Sequence, residues 1–362
     1  MRTSTPEQTI RFLTTGDGVK LAYALAGSGA PLVKTANWLS HLEFDWQSPV
    51  WRHWFAFFAR HNRILRYDPR GCGLSDWTDQ RLALEYYVRD LECIIDVAGA
   101  ERFPVFGMSQ GAAIAVEYAV RHPTRVSHLI LYGGYAQGWA RRNDPEQLRE
   151  GTALVEMIRI GWGQDNPAFR QLFASLFIPD ATEEQTHWFA DLMHRTTRPE
   201  VAACILESLS QIDVSERLAQ VQAPTLVLHV RNDARVPFEQ GRLLAAGIPG
   251  ARFVALEGRN HILLESEPAW PRFCSAVAEF LGHEAATPEP PRSAAALALG
   301  ELTSREMEIL RLVAAGASNL QISGKLFISE KTVRNHLTSI FGKLDVSSRA
   351  QAIVLARDTG LV

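Results

Sequence analysis

The 362-residue sequence holds only four cysteines, Cys72, Cys93, Cys204 and Cys274, and none forms a CxxC pair. For a protein inside the cell, reduced, mostly buried thiols are the expectation. The histidines are scattered, with no HExxH and no Cys/His cluster, so neither a metal site nor another cofactor is expected. Long apolar runs are missing too. The longest, 112–116 and 126–131, fall far short of the ~20 residues that span a bilayer, and no membrane partner is expected. The opening stretch MRTSTPEQTI lacks the apolar h-region of a secretory signal, which points to a cytoplasmic protein. With 46% hydrophobic and 21% charged residues, disordered, collagen-like and coiled-coil classes are excluded as well.

Charge has no strong bias. The formal net charge is −3, which argues against a chain wrapped in nucleic acid, yet residues 300–362 carry eight Lys/Arg against six Asp/Glu. The sharpest change of composition is HEAATPEPPRSAAALALG at 283–300, where three prolines forbid a helix and little remains to bury. A structureless run of this length inside a compact domain would be unusual. The expected organisation is therefore a domain over 1–283, a linker over 284–299 and a small domain over 300–362.

In the larger part, short apolar runs at 103–106, 126–132, 225–230 and 252–256 alternate with helical segments such as 111–121 and 270–281. Buried strands alternating with helices predict an α/β class with a mostly parallel sheet covered on both faces. Between 135 and 218 the pattern becomes helical without strands, as in an inserted cap. Gly107-Met108-Ser109-Gln110-Gly111 fits GxSxG and lies between a predicted strand and helix, the context a nucleophile elbow requires. A serine needs a base, and the base an orienting acid. Asp233 follows the run 225–230 and His261 follows 252–256, so Ser109, Asp233 and His261 all fall just past predicted strand ends, where open α/β sheets place their sites.

At this point residues 11–283 resemble the α/β-hydrolase fold. RYDPRGCGLSD at 66–76 is similar to that family's D-x-R-G-x-G-x-S segment, with Asp68, Arg70, Gly71, Gly73 and Ser75 as scaffold residues. RNDARVP is similar to its acid loop and GRNHILLESEP to its histidine loop. The resemblance implies Ser109, Asp233 and His261 as a catalytic triad. It also implies an oxyanion hole from the backbone N–H of Gln110 and of a residue after the early strand. There the family's HG dipeptide is missing, because Pro31–Thr35 leads into Ala36-Asn37-Trp38. Trp38 can supply the N–H or fill the space with its indole. A ligand pocket is expected from Trp38, His41, Met108, Trp139 and Trp162, with Phe173 and Trp188 in its roof. An aromatic lining with few charges suits a small, largely apolar acyl, ester, lactone or aromatic compound.

The last segment reads as four short helices. Thr303 with Glu306 makes a capping box, Asn319–Lys325 a second short helix, and Ser329 caps a third that runs to about Lys343; a fourth starts near Ser347 or Ser348. Val333, Leu337, Ile340 and Leu344 form an apolar stripe on the third helix. Lys331, Thr332, Arg334, Asn335, Thr338 and Lys343 occupy its other faces. The segment resembles the LuxR-type helix-turn-helix domain almost continuously. That resemblance implies base contacts from Arg334, Asn335 and Thr338, and phosphate contacts from Ser329, Lys331 and Thr332. It also implies a homodimer on a roughly palindromic promoter site.

Two functions follow from this architecture. One is a DNA-binding transcription regulator whose hydrolase-like domain senses a small acyl, ester, lactone or aromatic ligand, with or without slowly hydrolysing it. The other is a working serine hydrolase of esterase type with an accessory DNA-binding tail. A sensor requires an output, whereas a hydrolase gains little from a promoter-binding domain, which favours the first.

Overall fold

The computed structural model describes residues 7–162, 164, 167–283, 302–326, 328–344, 346 and 348–358. The linker expected at 284–299 lies outside them. The chain divides into two compact units, within 1–286 and within 287–362.

The larger unit is built on an eight-stranded sheet. Its strands are β1 (Gln8–Thr14), β2 (Lys20–Ala26), β3 (Ala30–Lys34), β4 (Asn62–Tyr67), β5 (Phe103–Met108), β6 (Val126–Tyr132), β7 (Thr225–Val230) and β8 (Arg252–Leu256). They pair in the order β1-β2-β4-β3-β5-β6-β7-β8. Only β2 runs against its neighbours; from β4 to β8 every pairing is parallel. All six residues of β7 are buried, as expected of a strand covered on both faces. The covering helices are α1 (Leu42–Trp46), α2 (Arg52–His61), α3 (Leu84–Ala98), α4 (Gln110–Arg121), α9 (Phe238–Gly247) and α10 (Ala269–Phe280). Alanines at 112, 113 and 115 let α4 lie close against the sheet, with every residue from Gln110 to Ala119 buried.

Between β6 and β7 the chain makes a short 3-10 turn (Trp139–Arg141) and helices α5 (Pro145–Gly161), α6 (Pro167–Ser175), α7 (Glu183–Thr196) and α8 (Pro199–Ser210). Among the described residues this segment holds no strand, only an isolated bridge between Gln137 and Asp213.

The D-x-R-G-x-G-x-S segment follows β4, and its polar side chains are consumed by the scaffold. Asp68 accepts from Ser40 Oγ at 2.5 Å and from the backbone N–H groups of Leu42 and Leu74. Arg70 is 1% exposed; it binds Asp90 of α3 through Nε at 2.7 Å and Nη2 at 2.5 Å, and Asp17 of the β1–β2 turn through Nη1 at 3.1 Å. Ser75 Oγ donates to the Asp68 carbonyl and accepts the N–H of Ala22.

The smaller unit is α11 (Ser304–Ala314), α12 (Asn319–Leu326), α13 (Glu330–Lys343) and α14 (Arg349–Asp358). Thr303 and Glu306 form the reciprocal capping box, and Ser329 Oγ accepts the Thr332 N–H at 3.1 Å. Its core is aliphatic, with Ile309, Leu310, Val313, Ile322, Val333, Ile340, Ala352 and Ala356 at its centre.

Candidate active site and nucleic-acid interface

Ser109 sits between the end of β5 and the start of α4 with φ +54 and ψ −127. A left-handed φ is rare for a residue with a Cβ and costs about 1–3 kcal/mol, so the surroundings must hold it. They do so through the flanking glycines. A Cβ at Gly107 would come within 2.7 Å of the Gly111 carbonyl, and one at Gly111 within 2.5 Å of Thr35 Oγ1. The turn closes this tightly only without side chains there. The strain turns the serine outward at the head of α4, whose first N–H groups, Gln110 included, have no intrahelical partner.

Two parallel strands away, the loop after β7 carries Asp233, and the loop after β8 carries His261. His261 Nδ1 donates to Asp233 Oδ2 at 2.8 Å. Asp233 Oδ1 accepts the backbone N–H groups of Arg235 and Val236 at 2.8 and 2.9 Å. Burial pushes the Asp233 carboxyl up, but the charge and hydrogen bond of His261, joined by the His229 ring and the Val236 N–H, outweigh it and hold the group below its ordinary value. Burial pushes His229 down. The Asp233–His261 pair thus fixes one tautomer and leaves His261 Nε2 without a hydrogen-bond partner among the described residues, Ser109 Oγ included. In unliganded sites such bonds are commonly long and tighten with substrate.

Ser109, Asp233 and His261 line one cavity of about 520 Å³, within the ~300–1,000 Å³ of small-molecule sites. Of the expected pocket residues, Trp38, Met108 and Trp139 line it, as do Gln110 and Phe173. Three others do not. His41 Nδ1 instead accepts the Phe44 N–H and caps α1. Trp162 is buried behind the wall, stacked on Trp38 at 5.8 Å. Trp188 stacks on Phe44 at 4.9 Å. The Trp38 indole, 7% exposed, also packs edge-on against Phe173 at 5.3 Å and against Phe177 at 6.2 Å. The loop after β3 is thereby joined to the helical segment by aromatic contact.

Sequence reasoning missed the polar lining. Asn37, Tyr135, Arg142 and Arg235 all face the cavity. Arg235 lies two residues past Asp233 in the acid loop, so its position was readable; nothing local marks Arg142. A buried charge cluster next to the site was also missed. Lys34, at the end of β3, binds Asn37 Oδ1, and Arg66 lies 3.9 Å from Asp45 and 4.0 Å over the Phe55 ring. Burial pushes Lys34 down to about 7 and Asp45 up to about 7.

In the smaller unit, Val333, Leu337, Ile340 and Leu344 turn inward, and α13 presents Lys331, Arg334, Asn335 and Thr338 to solvent. The side chains of Lys331, Arg334 and Asn335 form no hydrogen bond or ion pair among the described residues, so their donors are uncommitted. Ser329 and Thr332 share the N-cap, and Thr338 Oγ1 donates to the Arg334 carbonyl at 3.1 Å. Lys343 is set differently: its Nζ binds Glu306 at 2.7 Å and staples α13 to α11. No described helix is long and apolar enough to cross a membrane, and the described residues hold no cluster of three or more metal-ligating side chains.

Comparison with known proteins follows the same division. The family model described as alpha/beta hydrolase fold matches residues 46–268, and that of bacterial regulatory proteins, luxR family, matches 300–356. A 2-hydroxy-6-oxononadienedioate/2-hydroxy-6-oxononatrienedioate hydrolase of Pseudomonas putida is 30% identical over 275 residues, 74% of this chain and 90% of that protein. The transcriptional regulatory protein LiaR of Bacillus subtilis is 54% identical over 61 residues, 17% of this chain and 29% of LiaR. The crystal structure of a hydrolase from Pseudomonas aeruginosa superposes with a TM-score of 0.63 at 25% identity, covering 76% of this chain and 98% of that one. The chain belongs to the alpha/beta hydrolase fold family and carries, joined to that fold, a regulatory domain of the bacterial luxR family.

Proposed function

We propose that the protein is a ligand-responsive transcription regulator. In this reading the cavity over Ser109 binds a small carbonyl compound, and α13 reads promoter DNA as part of a homodimer on a roughly palindromic site. One observation carries the reading: a cavity holding Ser109, Asp233 and His261 shares a polypeptide with a helix whose exposed Lys331, Arg334 and Asn335 donors are uncommitted. Phosphate contacts would position the helix and base contacts would specify the site. The ligand acts on DNA affinity only through a difference in its affinity for two states of the protein. The relatives that support a carbonyl ligand are hydrolases of unlike named substrates, so they support the chemistry and leave the compound open.

A second reading, a working serine hydrolase, is favoured by one feature, the Asp233–His261 pair with Nε2 unpartnered beside a strained Ser109. Ser109 would attack the acyl carbon, His261 would take its proton, and the N–H of Gln110 with that of Trp38 would hold the oxyanion. A single variant separates the two. Ser109→Ala abolishes phosphonylation by a fluorophosphonate, in which Ser109 Oγ bonds phosphorus and fluoride leaves, and turnover of small acyl esters. If DNA affinity still responds to the ligand, binding alone carries the signal; if the response vanishes with turnover, the chemistry does. Operator affinity that is identical with and without saturating ligand, measured by titration on labelled duplex, refutes the regulator.

A further inference from the structure

The cavity wall is mostly aromatic and aliphatic, yet two guanidinium groups face into it, Arg142 just after the 3-10 turn and Arg235 on the acid loop. Neither forms an ion pair among the described residues. Arg142 donates through Nε to the Gln137 carbonyl at 2.8 Å and through Nη1 to Gln147 Oε1 at 2.7 Å, and it lies 5.5 Å over the Tyr135 ring. The Arg235 guanidinium has no hydrogen bond among the described residues and rests 5.7 Å from the centre of the Phe177 ring. The nearest carboxylates in the chain are already spent. Asp233 serves His261 and two backbone N–H groups, and Asp144 caps α5 through the N–H groups of Glu146 and Gln147 and binds the Gln147 amide. Glu150 lines the cavity from an exposed position and pairs with neither arginine.

Two like charges are thus held near one another with no carboxylate bonded to either. Burial pushes both guanidiniums down, Arg142 to about 10, and Arg142 feels Arg235 as a nearby like charge. A half-buried cation left unpaired is costly, and its planar donors match a carboxylate edge. A neutral ester, lactone or arene would leave that cost standing.

We infer that the natural occupant of this cavity is a carboxylic acid anion, its carboxylate held between Arg142 and Arg235 and its apolar body lying along the aromatic wall towards Ser109. This rests on reading the cavity as the ligand site and names the class of ligand it takes.

Trp38 and Trp139 line the cavity, so tryptophan fluorescence of the full-length protein reports occupancy. The probes are 4-phenylbutanoate and its amide, matched in shape and differing in charge. The unaltered protein binds the acid at least tenfold more tightly. Arg235→Gln and, separately, Arg142→Gln reduce that preference to threefold or less, while Arg235→Lys retains most of it; the lysine variant also guards against a fold lost at that position. Equal affinity for acid and amide overturns the inference and leaves the cavity as a ligand site. A preference that survives in the double glutamine variant, or tighter binding of 3-phenylpropylphosphonate than of the acid, overturns it likewise. If no member of the series perturbs the fluorescence, the ligand-site reading falls with it.

Discussion

All nine tryptophans and all seven tyrosines lie within residues 1–286, whereas 300–362 contain no tryptophan, tyrosine, cysteine or proline. The large core is tied together by rings. Trp54 alone packs against Phe106, Tyr132, Trp270 and Phe273 within 4.8–6.0 Å, and its Nε1 donates to the Leu263 carbonyl at 2.9 Å. The small core is aliphatic, and its helices start at side-chain caps on Thr303 and Ser329. Size explains the contrast. A domain of some 60 residues buries only about 60% of the surface its unfolded chain exposes, so local capping matters more to it. A domain several times larger buries enough to tolerate a cavity, unpaired guanidiniums and a strained serine.

If the contrast is right, damage to one core should stay in that core. The largest effect is expected from Trp54→Ala, which removes about 3–5 kcal/mol from the unfolding transition followed by tryptophan fluorescence. Operator binding by the small unit should persist through that transition; a parallel collapse of the two would show the cores to be one cooperative unit. Ile340→Ala should cost about 2–4 kcal/mol, enough to open the small unit. It would be read as lost operator affinity and faster hydrogen exchange in peptides from 304–343, with the tryptophan transition unmoved.

Arg334→Ala should weaken specific DNA binding by ~1–3 kcal/mol, with no change in either unfolding transition; unaltered affinity at low salt would remove Arg334 from the interface. The smallest effect concerns acid. The hydrogen bond from Lys343, with those from Ser339 and the Thr303 N–H, pulls Glu306 down to about 2 from an ordinary value near 4.5. A depressed carboxyl contributes stability that is complete above about 4.5 and is lost as pH falls towards 2. With Lys343 one-third exposed, roughly 1–2 kcal/mol is expected after screening. Hydrogen exchange over 304–343 should therefore accelerate between pH 5 and pH 3 beyond the intrinsic rate, and Glu306→Gln should remove that extra dependence.

The same contrast governs what the sequence discloses. In the small domain each helix start is written within four residues, as Thr303-Ser304-Arg305-Glu306 and as Ser329 to Thr332. In the large domain, the strands at 126–132, 225–230 and 252–256 were equally legible as short, mostly apolar runs, although only β7 is buried throughout and β8, at the sheet's edge, alternates. The first hairpin was not. In β1 the side chains are mostly exposed, Phe12 at 61%, and the pattern lacks a clean alternation. The pocket was half legible for a related reason. Position past a strand end locates a side chain near the site but does not say which way it turns. Trp38 turned in, while His41 was claimed by a helix cap and Trp188 by Phe44. Arg142 and Arg235 escaped notice because a single arginine in a loop reads as solvated until the neighbouring carboxylates are seen to be occupied.

The turn between β1 and β2 has a practical bearing on anyone trimming this protein. The family match begins at residue 46, which invites a shortened gene that starts there or just before it. Such a cut discards Asp17 and leaves Arg70, sealed beneath the surface, with one of its two counter-charges gone. The outermost strand looks expendable from its exposure, yet the bend that follows it carries the carboxylate that helps to pin the loop after β4.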